Sequence, residues 1–476
     1  MLIKTAGHAC AVIVLLAAFL LLTTRRVSSE PYVYDEADYI YAGSLGFIAN
    51  WTDTPALSLV SFLSAGISLG KDARARQDLS EFVRQSNDVT FYRHWHGPLF
   101  SYLLIPLSHT GLGERGVRMA MLTVPMASLV AVFLGCLWLL PGLRGFLAAA
   151  LAGTVFLSSY AVTASSELAP HHLLTFFSLC CLFLLAKSIS TGRRTYWYGC
   201  VLAAAAAFCT LEIALVLIVT VAICGYAKRR RFRADRKFAA RSSTLFLTAV
   251  FALWPAAILK LSFVKSYLGI AYLAFSRTSP WGSTGFLDTW KDRFLASPLE
   301  WGIILLGVIL YFRGRPKNSD VVYPILTYGL LSAAATLPVL SVTPRYSLVF
   351  MPELDIVAGL VLAAFVKRPQ RPANITALSV LIIGTYAMAL HQSLASHPST
   401  NPRSAAVLLF IHQNHLDDKA LLVPKEELPM IHYYFPTAKL RGYVAPYPEL
   451  SDRSGFRADA ILSRSYPVDF ELVQRR

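Results

Sequence analysis

The stretch that decides the fold is residues 9–22, ACAVIVLLAAFLLL, an uninterrupted apolar run near the N-terminus. Lys4 precedes it, as in a signal peptide, but no clean small-residue cleavage site follows, and Arg25-Arg26 comes next. We therefore interpret the run as a retained first membrane span. Hydrophobic residues make up 55% of the chain and charged residues only 15%, which is typical of a multi-spanning membrane protein.

Eleven apolar segments are expected to cross the membrane as helices. Several are shorter than the roughly 20 residues that a straight spanning helix needs, and we split the longest run, 196–227, at Thr210-Leu211-Glu212. The segments are 8–23, 117–140, 145–163, 171–187, 196–210, 211–227, 243–263, 299–312, 321–341, 347–366 and 373–392. The apolar piece 98–110 is predicted to be a re-entrant or interfacial helix.

The positive charge of the chain is concentrated in four loops. The net charge is +16, but no face interleaves cations with exposed aromatics, as a nucleic-acid-binding surface would. The four loops alternate with less basic ones, which is the positive-inside pattern of cytoplasmic loops. They carry Lys187, Arg193 and Arg194; Lys228, Arg229, Arg230, Arg231, Arg233, Arg236, Lys237 and Arg241; Arg313, Arg315 and Lys317; and Lys367, Arg368 and Arg371. The N-terminus is therefore predicted to be cytoplasmic.

Two regions are predicted to lie outside the membrane on the opposite, external side. One is the loop 24–116, and the other is the tail 394–476. The tail contains an amphipathic helix at 405–411, a strand at 420–424, a helix at 426–434 and a strand at 438–443. This order predicts a small α/β domain that follows a membrane domain over residues 1–393.

Asp35 and Glu36 open the first external loop. Acidic residues are scarce in this chain, so an acidic pair beside a membrane exit is a candidate site. The alternative is a helix N-terminus with its usual acidic first turn. Other polar residues fall on the same predicted side of the membrane, namely Arg93, His94, His96, Glu167, His171, His172, Glu212, Arg345 and Tyr346.

The histidines of this set allow a metal site. Imidazole and carboxylate are adequate ligands for zinc or manganese, so His94, His96, His171 and His172 could bind a divalent metal ion together with Glu36. Glu36 and His96 are the ligands that we select. The alternative is that the histidines are hydrogen-bonding loop residues, and the sequence leaves both open.

Three motifs occur in order along the chain: Tyr34-Asp35-Glu36-Ala37-Asp38-Tyr39, His96-Gly97-Pro98-Leu99, and Pro344-Arg345-Tyr346-Ser347-Leu348 followed by Pro352. Together they resemble the membrane-embedded glycosyltransferases of the C-type fold, and more narrowly the protein O-mannosyltransferase and lipid A aminoarabinose transferase group. Two departures stand out. Gly97 replaces the first proline of a His-Pro-Pro-Leu motif, and the family's aspartate after Pro170 is absent, with Glu167 as a possible substitute.

The resemblance implies a sugar transferase of C-type architecture in a bacterial inner membrane. The donor would be a polyprenyl-phosphate sugar, and the acceptor a lipid, glycan or protein at the external face. Asp35 would be the general base and Glu36 its orienting or metal-binding neighbour. Arg345, beside Tyr346, would hold the leaving phosphate, with Arg93 as a second candidate. His94, His96 and Glu167 would complete the substrate site.

Two other functional classes fit an apolar chain with these polar residues. A transporter or flippase of lipid-linked sugars would bind similar amphiphilic ligands, although it usually contains internal repeats with broken helices, and no repeat stands out here. A non-catalytic membrane scaffold would bind a partner through its tail and would not need Asp35 or Arg345.

Overall fold

The structure, a computed structural model, describes most of the chain. The described residues are 2–33, 35–52, 96–164, 168–232, 235–261, 263–264, 267, 291, 294–295, 297–314, 319–336, 344–365, 372–395, 402–424, 427–443, 459–462 and 470–472.

Helices account for most of the described chain, and we number them in chain order. They are α1 (Leu2–Thr23), α2 (Asp35–Ser44), α3 (Gly46–Thr52), α4 (Leu99–Ser108), α5 (Glu114–Met121), α6 (Thr123–Leu139), α7 (Leu143–Ser158), α8 (Tyr160–Ala164), α9 (His171–Thr191), α10 (Arg194–Phe208), α11 (Ala214–Ala227), α12 (Arg236–Leu253), α13 (Pro255–Leu259), α14 (Pro298–Gly314), α15 (Ser319–Thr336), α16 (Met351–Phe365), α17 (Pro372–Ala395), α18 (Pro402–Gln413) and α19 (Leu428–Tyr434). A helix lies at each of the eleven predicted segments, and the run 196–227 breaks between α10 and α11, as expected.

Several of these helices have the length and apolar character of membrane spans. Three described stretches are long and apolar enough to cross a membrane: Gly7–Arg26, Glu114–Leu139 and His171–Thr191. Shorter apolar helices include α4, α7 and α11. The chain is therefore an integral membrane protein, while the number of crossings stays a prediction. Helix α4 has ten residues and is about 15 Å long, too short to cross a hydrocarbon core of about 30 Å.

The described chain divides into two compact units, and the first is helical. It comprises Met1–Val27, Met119–Leu253 and Ile270–Pro398. Small residues allow its helices to approach closely. A Cβ added to Gly359 of α16 would lie 2.8 Å from the Cβ of Ala152 in α7, and one added to Gly307 of α14 would lie 2.7 Å from the Cα of Ala358. Close approach at small residues is typical of helices that pack within a membrane.

The ends of α9 and α11 lie beside the start of α15 in this helical unit. Asp320, at the start of α15, pairs with Lys228 at 2.8 Å and with Arg231 at 2.7 Å. Arg231 also donates to the backbone oxygen of Ile189 at 3.1 Å, and Arg194 donates to that of Phe232 at 3.0 Å. The ends of α9 and α11 and the start of α15 therefore lie together.

The second unit comprises Ser28–Arg118, Trp254–Gly269 and Ser399–Arg476. Its C-terminal part contains a four-stranded sheet of order β2-β1-β3-β4. Strand β1 is parallel to β2 and β3, and β4 is antiparallel to β3. The strands are β1 (Ala420–Pro424), β2 (Lys439–Tyr443), β3 (Ala460–Leu462) and β4 (Phe470–Leu472).

The secondary structure of the tail follows the expected order. Helix α18, strand β1, helix α19 and strand β2 succeed one another as predicted. Strands β3 and β4 were not predicted, because three-residue strands carry too little alternation to be recognised in a sequence. The division into domains at residues 393 and 394 stays a prediction, as does the external location of the tail.

Candidate functional site

Helix α2 begins at the acidic pair. Asp35, Glu36 and Asp38 form its acidic first turn, where the positive end of the helix dipole favours carboxylates. A helix therefore starts at the acidic pair, as the alternative interpretation required, and the role of the pair as a site stays a prediction. Glu36 is only 5% exposed and Asp35 is half-buried. An acidic first turn on a soluble helix would normally face water, so the burial of Glu36 requires a specific partner.

That partner is Arg118, the last residue of the first segment of the same unit. Its Nη2 lies 2.5 Å from Oε2 of Glu36, and its Nε donates to Oε1 at 3.0 Å. The remaining N–H groups donate to three backbone oxygens, those of Ser28 at 3.0 Å, Glu30 at 2.7 Å and Pro31 at 3.3 Å. All five guanidinium donors are thus engaged, and the guanidinium carbon lies 5.0 Å from the centre of the Tyr32 ring.

Arg118 therefore fixes two things at once. It holds the Glu36 carboxylate by a paired, charge-assisted contact, and it fastens the segment 28–31 that leads into α2. Arg118 was not among the residues predicted for the site. A signal was present, because Arg118 is an arginine inside the predicted span 117–140, and ionisable residues in spans are functional candidates.

The second motif packs against α2. The ring of His96 lies 5.9 Å from that of Tyr39, and the ring of Phe100 lies 5.3 Å from it on edge. Pro98 caps α4, whose first turn closes when the N–H of Tyr102 donates to the Pro98 oxygen at 3.1 Å. The acidic motif and the His-Gly-Pro-Leu motif, which are about sixty residues apart in the chain, therefore meet through Tyr39.

The third motif lies in the helical unit. Pro344–Val349 forms a 3₁₀ helix, and Thr175 of α9 donates to the backbone oxygen of Leu348 at 2.8 Å. Tyr346 is buried with its ring on edge against His171, 5.3 Å between centres. Arg345 is half-buried. Its guanidinium lies 5.3 Å from the Tyr346 ring and 3.4 Å from the tyrosine hydroxyl.

Three of the predicted site residues lie outside the described residues, namely Arg93, His94 and Glu167. Among the others, Asp35, Glu36 and His96 belong to the second unit, and Arg345 and Tyr346 to the first. The structure brings His96 to the acidic helix and His171 to Tyr346. Their assignment to a substrate site stays a prediction.

The metal ligands that we selected, Glu36 and His96, stay a prediction. Both oxygens of Glu36 receive N–H groups of Arg118, so a cation would have to displace a guanidinium that already supplies the positive charge. Within the described parts of the chain, no group of three histidine, cysteine, aspartate or glutamate side chains is arranged to hold a metal ion.

Comparisons with known proteins identify the fold. No family model and no curated protein matches the sequence. Among solved structures, ArnT from Cupriavidus metallidurans in the apo state is similar, with a TM-score of 0.58 and 15% identity over 91% of this chain and 85% of that one. The same protein bound to undecaprenyl phosphate has a TM-score of 0.56 and 14% identity, over 93% of this chain and 87% of that one.

An archaeal enzyme gives a similar result. The oligosaccharyltransferase AglB from Archaeoglobus fulgidus, in complex with an inhibitory peptide and a dolichol-phosphate, has a TM-score of 0.56 and 11% identity over 92% of this chain and 65% of its own. Both relatives are glycosyltransferases of the C-type fold. At sequence identities this low, the similarity establishes the fold alone. The chain therefore has the C-type glycosyltransferase fold.

Proposed function

We propose that this protein transfers a sugar from a polyprenyl-phosphate donor to a lipid, glycan or protein acceptor at the extracytoplasmic face of a bacterial inner membrane. The observation that carries the proposal is the start of α2, where the buried Glu36 carboxylate receives two hydrogen bonds from Arg118 and Tyr39 packs against His96 and Phe100 of the His-Gly-Pro-Leu segment. A carboxylate site built in this way is pre-organised for catalysis.

Asp35 is the proposed general base. An acceptor hydroxyl is a weak nucleophile, so a carboxylate takes its proton as its oxygen attacks the anomeric carbon. The bond from that carbon to the phosphate oxygen breaks, and polyprenyl phosphate leaves with the bonding electrons. Glu36 is the orienting neighbour, because its charge is already balanced by Arg118 and its carboxylate is fixed at the helix start.

Arg345 is the proposed partner of the leaving phosphate. A guanidinium can hold a phosphate through paired hydrogen bonds, and negative charge grows on that phosphate as the sugar departs. Tyr346 packs under the Arg345 guanidinium. Arg93, His94, His96 and Glu167 are proposed to contact the sugar and the phosphate, His96 from its position beside Tyr39.

The donor class is proposed from the fold. ArnT has been solved bound to undecaprenyl phosphate and AglB with a dolichol-phosphate and a peptide, so the fold accommodates a polyprenyl phosphate. The side of the membrane is proposed from the basic loops of the helical unit, which the positive-inside rule assigns to the cytoplasm. The N-terminus would then be cytoplasmic and the tail external.

The test is sugar transfer by the purified full-length protein in lipid nanodiscs. A panel of polyprenyl-phosphate sugars would be offered with lipid, glycan and peptide acceptors, and product followed by mass spectrometry. We expect Asp35→Asn to lower kcat by roughly 10²- to 10⁴-fold, the usual contribution of a general base. Asp418→Asn is the matched control, since Asp418 is an exposed carboxylate of the tail. It should transfer sugar at the wild-type rate.

Two outcomes would contradict the proposal. One is the absence of transfer by the wild-type protein with every donor, which would favour a flippase or a scaffold. The other is an Asp35→Asn variant as active as Asp418→Asn, which would remove the carboxylate from the chemistry.

A further inference from the structure

The C-terminal helix α19 packs directly on the acidic helix. The hydroxyl of Tyr434 accepts a hydrogen bond from the backbone N–H of Tyr32 at 2.9 Å and donates one to Oε1 of Glu114 at 2.8 Å. These contacts join residues that are 402 and 320 positions apart in the sequence. One hydroxyl of the tail thus fastens the segment that enters α2 to the first turn of α5, the helix that carries Arg118.

Aromatic contacts extend this attachment along α2. The ring of Tyr433 meets that of Tyr32 on edge, 5.6 Å between centres, and the ring of His432 meets that of Tyr41 at 4.6 Å. Tyr32 lies on the other side against the Arg118 guanidinium. The order of contact is therefore Tyr434 to Tyr32, Tyr32 to Arg118, and Arg118 to Glu36, each within the second unit.

Helix α19 is itself held in place. It lies between the parallel strands β1 and β2 in the chain, and Arg403 of α18 forms an ion pair with Glu427 immediately before it. Burial raises the pKa of the Tyr434 hydroxyl well above its usual range. The hydroxyl is therefore protonated across the physiological pH range and can donate to Glu114 throughout it.

We propose that Tyr434 is a positioning residue for the acidic motif, so that the C-terminal tail belongs to the catalytic apparatus and is not a separate partner-binding module. This inference rests on the proposed transferase activity. Tyr434 touches no reacting atom. It fixes residues 31–33 and, through them and Arg118, the point at which α2 places Asp35.

The experiment compares Tyr434→Phe with Tyr433→Phe in the full-length protein in nanodiscs. Tyr434→Phe keeps the ring and removes both hydrogen bonds, while Tyr433→Phe removes a neighbouring hydroxyl and keeps the ring on Tyr32. We expect Tyr434→Phe to lower kcat about tenfold, because small misplacements of a catalytic group slow the chemical step. The donor KM and the melting temperature should stay close to the wild-type values. A general loss of folding would instead lower the melting temperature together with kcat.

Hydrogen–deuterium exchange supplies a readout that does not need activity. The amide of Tyr32 should exchange faster in Tyr434→Phe than in wild type or Tyr433→Phe, since its acceptor is gone. Wild-type kcat in Tyr434→Phe, an equal loss in Tyr433→Phe, or unchanged exchange at Tyr32 would each overturn the inference. If the wild-type protein transfers no sugar, the proposed function fails, and faster exchange at Tyr32 still supports the positioning contact.

Discussion

The two arginines beside the motifs have contrasting surroundings. Arg118, in the second unit, is 4% exposed and gives all five N–H groups to Glu36 and to backbone oxygens. Arg345, in the helical unit, is half-buried on a 3₁₀ helix, and its contact with the Tyr346 hydroxyl is long at 3.4 Å. Well-formed hydrogen bonds to oxygen are nearer 2.9 Å.

The difference separates two tasks that arginine performs. A guanidinium whose donors all bind its own protein sets the position of the groups that it binds. A guanidinium at a partly exposed turn can be approached by an anion from outside. Removal of Arg118 should therefore damage the fold, whereas removal of Arg345 should damage activity.

The largest effect on stability is expected from Arg118→Ala. The change leaves the Glu36 carboxylate buried without its cation, which costs about 3–5 kcal/mol for a buried pair. Thermal and denaturant unfolding in detergent would measure it. Arg115→Ala is the matched control, because Arg115 is an exposed arginine of the same helix, and its loss should cost no more than about 0.5 kcal/mol.

A double variant checks the cause of that loss. Arg118→Met combined with Glu36→Gln removes both charges, so much of the stability lost in Arg118→Ala should return, as it does when a buried ion pair is replaced as a unit. If Arg118→Ala and Arg115→Ala unfold at the same denaturant concentration, the ion pair does not hold the acidic helix.

Arg345→Ala is expected to lower kcat by about 10²- to 10³-fold, the range seen when one donor to a developing anion is removed, with a smaller loss of stability than Arg118→Ala. Arg345→Lys should recover part of the rate, because it restores the charge without the paired geometry. Arg313→Ala, at an exposed arginine of α14, is the control. A loss of melting temperature in step with kcat would assign Arg345 a structural role and break the comparison.

The helices could be predicted from the sequence because their signal is local. Apolar runs such as 9–22 and 171–187 show their length and character without knowledge of their neighbours, and the break at Glu212 could be placed from the charges on either side. The motif order also predicted the C-type fold, since each motif is a short continuous segment.

The contacts that build the candidate site are not local, and the sequence did not reveal them. Glu36 and Arg118 are 82 residues apart, and Tyr32 and Tyr434 are 402 apart. Each pairing depends on how the loop, the helix and the tail fold together, which no periodicity encodes. Arg118 could have been noticed as an arginine within an apolar segment, but its partner could not have been chosen among the carboxylates of the chain.

The smallest effect is expected at the contact of α2 with α4, which brings the first two motifs together. A Cβ on Gly43 would lie 2.9 Å from the Cβ of Leu104 and 3.1 Å from its carbonyl carbon, so Gly43→Ala must push the helices apart. Overpacking of this kind costs about 1–3 kcal/mol, partly offset by the better helix propensity of alanine. We expect a net loss of about 1–2 kcal/mol in the free energy of unfolding.

Gly384→Ala in α17 provides the reference for that measurement, because among the described residues nothing lies within 4 Å of the Cβ that it would add. This variant measures only the gain in helix propensity from glycine to alanine, which should stabilise the protein by up to about 1 kcal/mol. The difference between the two variants is then the cost of separating α2 from α4. If Gly43→Ala is as stable as Gly384→Ala, the close approach of α2 to α4 does not hold Tyr39 against His96.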